Sequence, residues 1–373
     1  MPKESPTIDN RAANVTSPTR KRRTSSLTRR VCGSLTAQSL DKTRWAISIK
    51  NDSLNFLLRC ALGVAAIPVL AVLARADVTA TPSERGVVIK IDGKPFTEYR
   101  KRAGHAPAMY PVIGPTGKGM TRGYPFTPPA KDGTHDHPHH QSLWFTHDKV
   151  NGANFWRADL NDDKDDSGPH IAHREFVAVQ GGRDRAHVVA RDDWMNGAKR
   201  VCSDERTVVY GVGPGDNRWI DFTITLKASD GDVKFGDTKE GSFAVRVADS
   251  MRVDAKKGGH IVNSEDQENA AAWGMPARWV DYTGPVDGET IGITMMSHPK
   301  SFRPVPRFHV RTYGLFAVNP FGEKDFPKLE SYKQGAVTIK SGDSLTLRYR
   351  VVLHRGGTDK GAIEAEFKKF SAE

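Results

Sequence analysis

From about residue 85 onward, apolar residues recur at every second position in short runs, the period of a strand with one buried face. Ile220, Phe222, Ile224 and Leu226 alternate with Asp221, Thr223, Thr225 and Lys227. Leu345, Leu347, Tyr349, Val351 and Leu353 alternate with Thr346, Arg348, Arg350 and His354. Shorter runs predict strands at 87–91, 175–179, 187–191, 242–248 and 290–296. Turn-forming pairs and triplets separate them: Asp92-Gly93, Gly181-Gly182, Gly213-Pro214-Gly215, Ser229-Asp230-Gly231 and Asp287-Gly288. One helix is predicted, over 359–372, with Ile363, Phe367 and Phe370 on one side. Strands at this spacing without intervening helices imply an all-β, antiparallel sandwich, of which the mutarotase-like supersandwich is one form. A single such domain is expected over 77–373, with a long His-rich loop and a short C-terminal helix.

That loop stands out because the stretch 101–140 carries little periodicity and much Gly, Pro and His. A long irregular segment in a compact β domain is commonly functional, and Tyr110, Tyr124 and Phe126 point to a packed one. Five of the thirteen histidines fall within 135–148: His135, His137, His139, His140 and His147. Imidazole serves both metal ligation and proton transfer near neutral pH. A plain surface loop is the alternative. A divalent metal at His135, His137, His139 and His140 is open, although several signatures are missing. No HExxH pattern occurs, Gln141 stands where a cupin-like site wants a glutamate, and paired cysteines are absent.

The amino-terminal part changes how charge is read. Lys50 and Arg59 precede an apolar run from Ala61 to Leu73, and Ala74-Arg75-Ala76 forms a small-x-small cleavage site before Asp77. Residues 51–76 are therefore expected to be a signal peptide cleaved near Ala76, with an uncleaved anchor as the alternative. Residues 1–50, rich in Ser, Thr and Arg, read as a disordered or mis-called extension. Residues 1–76 hold 13 Lys+Arg against 4 Asp+Glu, and the remainder 42 against 40. The basic balance thus belongs to the leader, and the expected mature domain has no electrostatic footprint for nucleic acid. Only Cys202 lies beyond residue 76, so an exported product would depend on its core rather than a disulfide. The expectation is a periplasmic or extracellular protein with no membrane span after cleavage.

Other candidates lie further along. Glu240 precedes the predicted strand over 242–248 and is a possible general base, with a salt-bridged glutamate as the alternative. His309, Arg311 and Tyr313 share a parity, and arginine suits the gripping of carboxylate or sugar oxygens. Trp144, Trp194, Trp273 and Trp279 could stack on a sugar ring or simply fill the core. Neighbours that look buried predict that His137, His139, His140, His147, Glu240, His309 and Arg311 line one pocket. His139, His140, His147 and Glu240 would be catalytic there, and His137, Trp144, His309 and Arg311 would bind substrate.

The run DHPHHQSLWFTHDKVNGANFW, residues 136–156, resembles the hallmark of a planctomycete-type bacterial family labelled "methane oxygenase PmoA". GDTKEGSFAVRV (236–247), GGHIVNSE (258–265), AAWGMPARWVDYTGPVDGETIGI (271–293), HVRTYGLFAVNPFG (309–322) and LTLRYRVVLHRG (345–356) extend the resemblance over residues 85–370. It brings no catalytic residue set. A membrane methane monooxygenase subunit is a bundle of transmembrane helices, whereas this chain has one short apolar segment and a mean hydropathy of −0.53. That activity is rejected. Two functions remain. One is an exported carbohydrate-processing hydrolase, lyase or isomerase with Glu240 as acid/base. The other is a non-catalytic exported domain that binds a small molecule or glycan, its His loop structural or metal-stabilised.

Overall fold

The computed structural model describes residues 76–130, 133–156 and 166–373. The leader and its cleavage site therefore lie outside the described residues, apart from Ala76. Two large antiparallel sheets dominate. The nine-stranded sheet runs, edge to edge, through Arg307–Val310, Leu315–Asn319, Gly241–Arg246, Leu143–His147, Ala106–Val112, Lys94–Ala103, Gly86–Ile91, Asp77–Pro82 and Gly182–Arg183. The eight-stranded sheet runs through His260–Asn263, Trp279–Val286, Glu289–Ser297, Ser344–Arg355, Arg218–Lys227, Lys199–Val212, Arg185–Asn196 and Pro169–Gln180. Val233–Phe235 and Val337–Ile339 form a separate two-stranded ribbon.

The core lies between the large sheets. Phe243 of the first stacks on Phe222 of the second with ring centroids 4.5 Å apart, and on Tyr349 at 5.5 Å. Phe145 reaches Phe222 at 5.9 Å. These rings are the inward set of the alternation, and the strand Arg218–Lys227 keeps a strict buried/half-buried period along its length. The all-β antiparallel sandwich is the architecture observed.

The C-terminal helix spans Lys360–Ala372 and lies against the outer face of the eight-stranded sheet, where Ile363 and Phe370 pack with Trp279, Met296 and Val352. Asp359 caps it by accepting a hydrogen bond from the Ala362 amide at 3.0 Å. Asp359→Ala leaves that amide without its partner and is expected to cost about 1 kcal/mol in urea unfolding.

Two local expectations are corrected. The stretch 101–140 is not irregular throughout, because it contains the end of Lys94–Ala103 and all of Ala106–Val112. Pro107 and Pro111 and burial on both faces hide the period of the second strand. Arg311 and Tyr313 do not share a strand face with His309. The strand ends at Val310, and both sit on the turn closed by the Gly314 amide donating to the Arg311 carbonyl at 3.0 Å. Gly314 adopts φ 99°, which a side chain would strain.

Candidate functional site: a donor-rich outer sheet face

The candidate site lies on the outer face of the nine-stranded sheet. Along Leu143–His147, Phe145 points into the core and Trp144 points out, to pack with Ala108, Trp156, Ala244, Leu315 and Ala317. The His loop folds onto this apolar patch and is held there by two arginines. Arg122 and Arg246 are both buried and share the loop carboxylate, donating to Asp136 Oδ1 at 2.7 and 3.0 Å. Both also donate to Thr134 Oγ1, whose hydroxyl donates to Asp249 at 2.8 Å. Arg122 additionally donates to the His137 carbonyl at 2.9 Å. That contact holds His137 at φ 45°, a left-handed conformation uncommon outside glycine and asparagine.

The electrostatics follow from this packing. Burial raises the pKa of the Asp136 carboxyl, but Arg246, His137 and Arg122 outweigh it and bring it down to about 2. Burial, with Arg246 alongside, lowers Arg122 to about 10, so it stays charged at neutral pH. His140 is held well below its ordinary pKa by burial, then by the neighbouring His139 and Arg246. Arg246 donates to His140 Nδ1 at 3.1 Å, and since arginine can only donate, the neutral ring carries its proton on Nε2.

An unbroken row of flat groups crosses the face. His140 stacks on Trp144 at 5.6 Å and on His137 at 4.7 Å. His137 stacks on Tyr313 at 5.5 Å. The Arg311 guanidinium lies 5.4 Å from the Tyr313 ring and 5.4 Å from the Trp273 ring. Trp273 Nε1 donates to His309 Nδ1 at 3.4 Å, which leaves the His309 proton on Nε2 as well. Burial, with Arg311 and Lys239 nearby, lowers His309 to about 3. The side chains of His140 and His309 are almost wholly buried, and their Nε2 atoms have no hydrogen-bond partner among the described residues.

His147 does not belong to this row. It points into the core, with Nε2–H donating to the Gly236 carbonyl at 2.9 Å and Nδ1 accepting from Ser242 Oγ at 3.1 Å. Gly241 makes room for it, because a Cβ there would stand 2.2 Å from His147 Nδ1. Burial lowers its pKa to about 4, and both nitrogens are satisfied, so His147 is a structural histidine rather than a catalytic one.

Glu240 is placed differently from the expectation of one shared pocket. Its carboxylate is paired with Lys239 and lines a shallow cavity of about 280 Å³ with Asp148, Thr238 and Asp325, where no loop histidine stands. The connection to the row is electrostatic: Glu240 raises the pKa of Tyr313, as does Asp136, after burial as the main cause. His139 lines a crevice of only about 10 Å³ with Gln141, Trp144 and Trp156, space for about one water. The expected common pocket is thus an open shelf, with Glu240 off its end and His147 beneath it.

Among the described residues, no group of three or more His, Cys, Asp or Glu is placed to hold a metal ion. His137 and His140 lie face to face and His135 is exposed, so their nitrogens do not converge. Of the other tryptophans, Trp194 and Trp279 are core residues whose indoles donate to Asp204 and Glu364. Asp136, Thr134, Arg122 and Trp156 were not singled out in the sequence. The available signal was charge within apolar runs, above all Arg246 inside Phe243-Ala244-Val245-Arg246-Val247.

Fold and face together define an antiparallel two-sheet sandwich with a loop clamped across one outer surface. Over residues 86–368 the chain matches a family of unknown function, DUF6807, and it belongs to that family. No curated protein matches it. Among solved structures, the GalM/aldose epimerase homologue from C. elegans is similar at 7% identity and a TM-score of 0.32, over 76% of this chain and 100% of that one.

Proposed function

We propose that this protein is exported and binds carbohydrate along the shelf from Trp273 to His137. The observation that carries the reading is a row of half-buried flat groups, Trp273, Arg311, Tyr313 and His137, beside the unpartnered Nε2–H groups of His140 and His309, with Trp144 buried beneath its end. Sugars present C–H faces that pack on rings and hydroxyls that accept hydrogen bonds, and an aromatic shelf with fixed donors meets both demands. Openness of the shelf favours a glycan lying across it over a small sugar enclosed within it. Export rests on the apolar run 61–73 and the Ala74-Arg75-Ala76 site, and mass spectrometry of the native amino terminus tests it. Among the described residues, no helix is long and apolar enough to cross a membrane. The resemblance to PmoA-labelled proteins is read as kinship without methane chemistry.

A catalytic reading is favoured by one further observation. His140 and His309 are neutral imidazoles with fixed Nε2 protons, the form in which imidazole polarises a carbonyl without surrendering charge. In that reading His139 and His140 act at the reacting centre, and Glu240 is the acid/base at the end of the shelf.

A thermal-shift panel of mono- and oligosaccharides on the full chain, followed by NMR of the products, separates the readings. Stabilisation by at least one sugar is expected, with Trp273→Ala weakening it roughly five- to tenfold. Turnover lost in both His139→Ala and Glu240→Gln supports an enzyme. Binding without turnover supports a recognition domain, and no stabilisation by any sugar overturns both.

A further inference from the structure

Hydrogen-bond supply and demand on this shelf are unequal. On the shelf, His140 Nε2–H and His309 Nε2–H have no partner among the described residues, while Trp156 Nε1–H and Arg246 Nε–H are unpartnered beneath it, out of a ligand's reach. The acceptors are already committed. Asp136 takes bonds from Arg122, Arg246 and His137, Asp249 takes those of Thr134, and Glu240 is held by Lys239. The two imidazole N–H groups therefore suit a ligand that brings acceptors of its own.

Arg311 sharpens this imbalance. The arginines around it each hold a carboxylate: Arg246 holds Asp136, Arg252 holds Asp254 and Arg307 holds Glu323. Arg311 holds none among the described residues, although its guanidinium lies 5.4 Å from both the Trp273 and the Tyr313 ring centroids. A guanidinium over aromatic rings keeps its edge N–H groups for a partner, and a carboxylate matches that fork with two parallel bonds. The charges that bear on the adjacent His309 are those of Arg311 and Lys239, both cationic.

We infer that the shelf takes an acidic sugar, a uronate or a uronate-containing glycan, with its carboxylate on Arg311 and its hydroxyls on the His140 and His309 donors. This rests on the carbohydrate reading above and narrows it. A sulfate ester offers a related anion, but its oxygens are tetrahedrally arranged and match the planar fork less well.

Calorimetric titration of the full chain tests the inference, with methyl glucuronoside and methyl galacturonoside against their methyl esters, the neutral glycosides and glucose 6-sulfate. The uronates are expected to bind at least roughly tenfold more tightly than ester or neutral forms, with the preference falling as salt rises. Arg311→Gln should reduce uronate affinity to the neutral level, and Arg311→Lys should restore only part of it. Equal binding of acid and ester by the native protein overturns the acidic-sugar assignment while leaving carbohydrate binding intact. Tighter binding of the sulfate ester, or a preference that survives in Arg311→Gln, overturns the role given to Arg311. Failure of every sugar to bind overturns this inference together with the reading beneath it. The acid-versus-ester comparison needs no variant, so the test stands even where a variant folds poorly.

Discussion

Arg246→Met should unfold in urea with a loss of about 1–3 kcal/mol, the range for leaving hydrogen-bond partners unmet, because the Asp136 carboxylate it shares is 41% exposed and keeps Arg122. Arg246 has no exposed side-chain surface and meets His140 Nδ1, Thr134 Oγ1 and Asp136 Oδ1 at 3.0–3.2 Å. Methionine can refill the volume over Tyr313 but donates nothing, so His140 loses the donor that fixes its tautomer. Arg122→Met should be similarly costly, because Arg122 also holds the His137 carbonyl. The double variant should cost more than the two losses added, since each single variant relieves the repulsion between the guanidinia and leaves Asp136 one arginine, whereas the double leaves it none. A loss below about 1 kcal/mol for Arg246→Met would mean that the His loop floats on the sheet rather than being clamped to it.

This clamp was only half legible beforehand, for a physical reason. Alternation revealed Arg218–Lys227 because one face meets the core and the other is more open, and Ser344–Arg355 because its outward Arg350 and His354, though buried, are polar and paired with Asp221 and Asp281. Leu143–His147, Arg307–Val310 and Leu315–Asn319 are buried at every position. The His loop covers the outer face of the first, and Trp273, Phe326 and Tyr332 pack over His309 and Arg307 of the second; a strand covered on both sides loses its period. The same covering made the histidines conspicuous while hiding what they touch. Which imidazole nitrogen carries the proton depends on Arg246, 106 residues beyond His140, and on Trp273, 36 residues before His309, and no local spacing encodes that. Yet one error was avoidable. His147 stands two residues after Phe145 and four after Leu143, on the inward parity of its own strand, and that spacing already argued for a core histidine. Glu240 belongs to the other kind: it stands just ahead of the strand Gly241–Arg246, where parity no longer fixes direction.

Stability should fall steeply as pH drops from about 6.5 to 4, and buried histidines should account for most of that fall. His140, His147 and His309 are all held below the ordinary 6.5, to about 4 for His147 and about 3 for His309. The sign follows from which state takes up protons. Below pH 6.5 the unfolded chain protonates these rings while the folded chain keeps them neutral, so acid favours unfolding. For His147 alone the loss should approach roughly 3 kcal/mol by pH 4, at about 1.4 kcal/mol for each pH unit. Asp204 opposes the trend in part. Burial beside Asp192 raises it to about 6, so protonation between pH 6 and 4 favours the folded state. His354, raised by its bond to Asp281, contributes its stability in full below 6.5 and does not alter the slope there. Asp136, lowered to about 2, acts below pH 4 and leaves this window to the histidines. His298, lowered by burial to about 4, joins those three rings and Asp221, raised by burial, joins Asp204, so four rings against two carboxyls set the net direction. Urea midpoints measured at half-unit steps should therefore fall with acid, and proton uptake on unfolding near pH 5 should exceed one. His147→Gln is expected to be less stable at pH 7, because its two hydrogen bonds are not both replaced, yet to show a visibly flatter profile between 6.5 and 4. A variant profile parallel to that of the native protein would show that His147 already charges in the folded state, and the closed core assigned to it would be wrong.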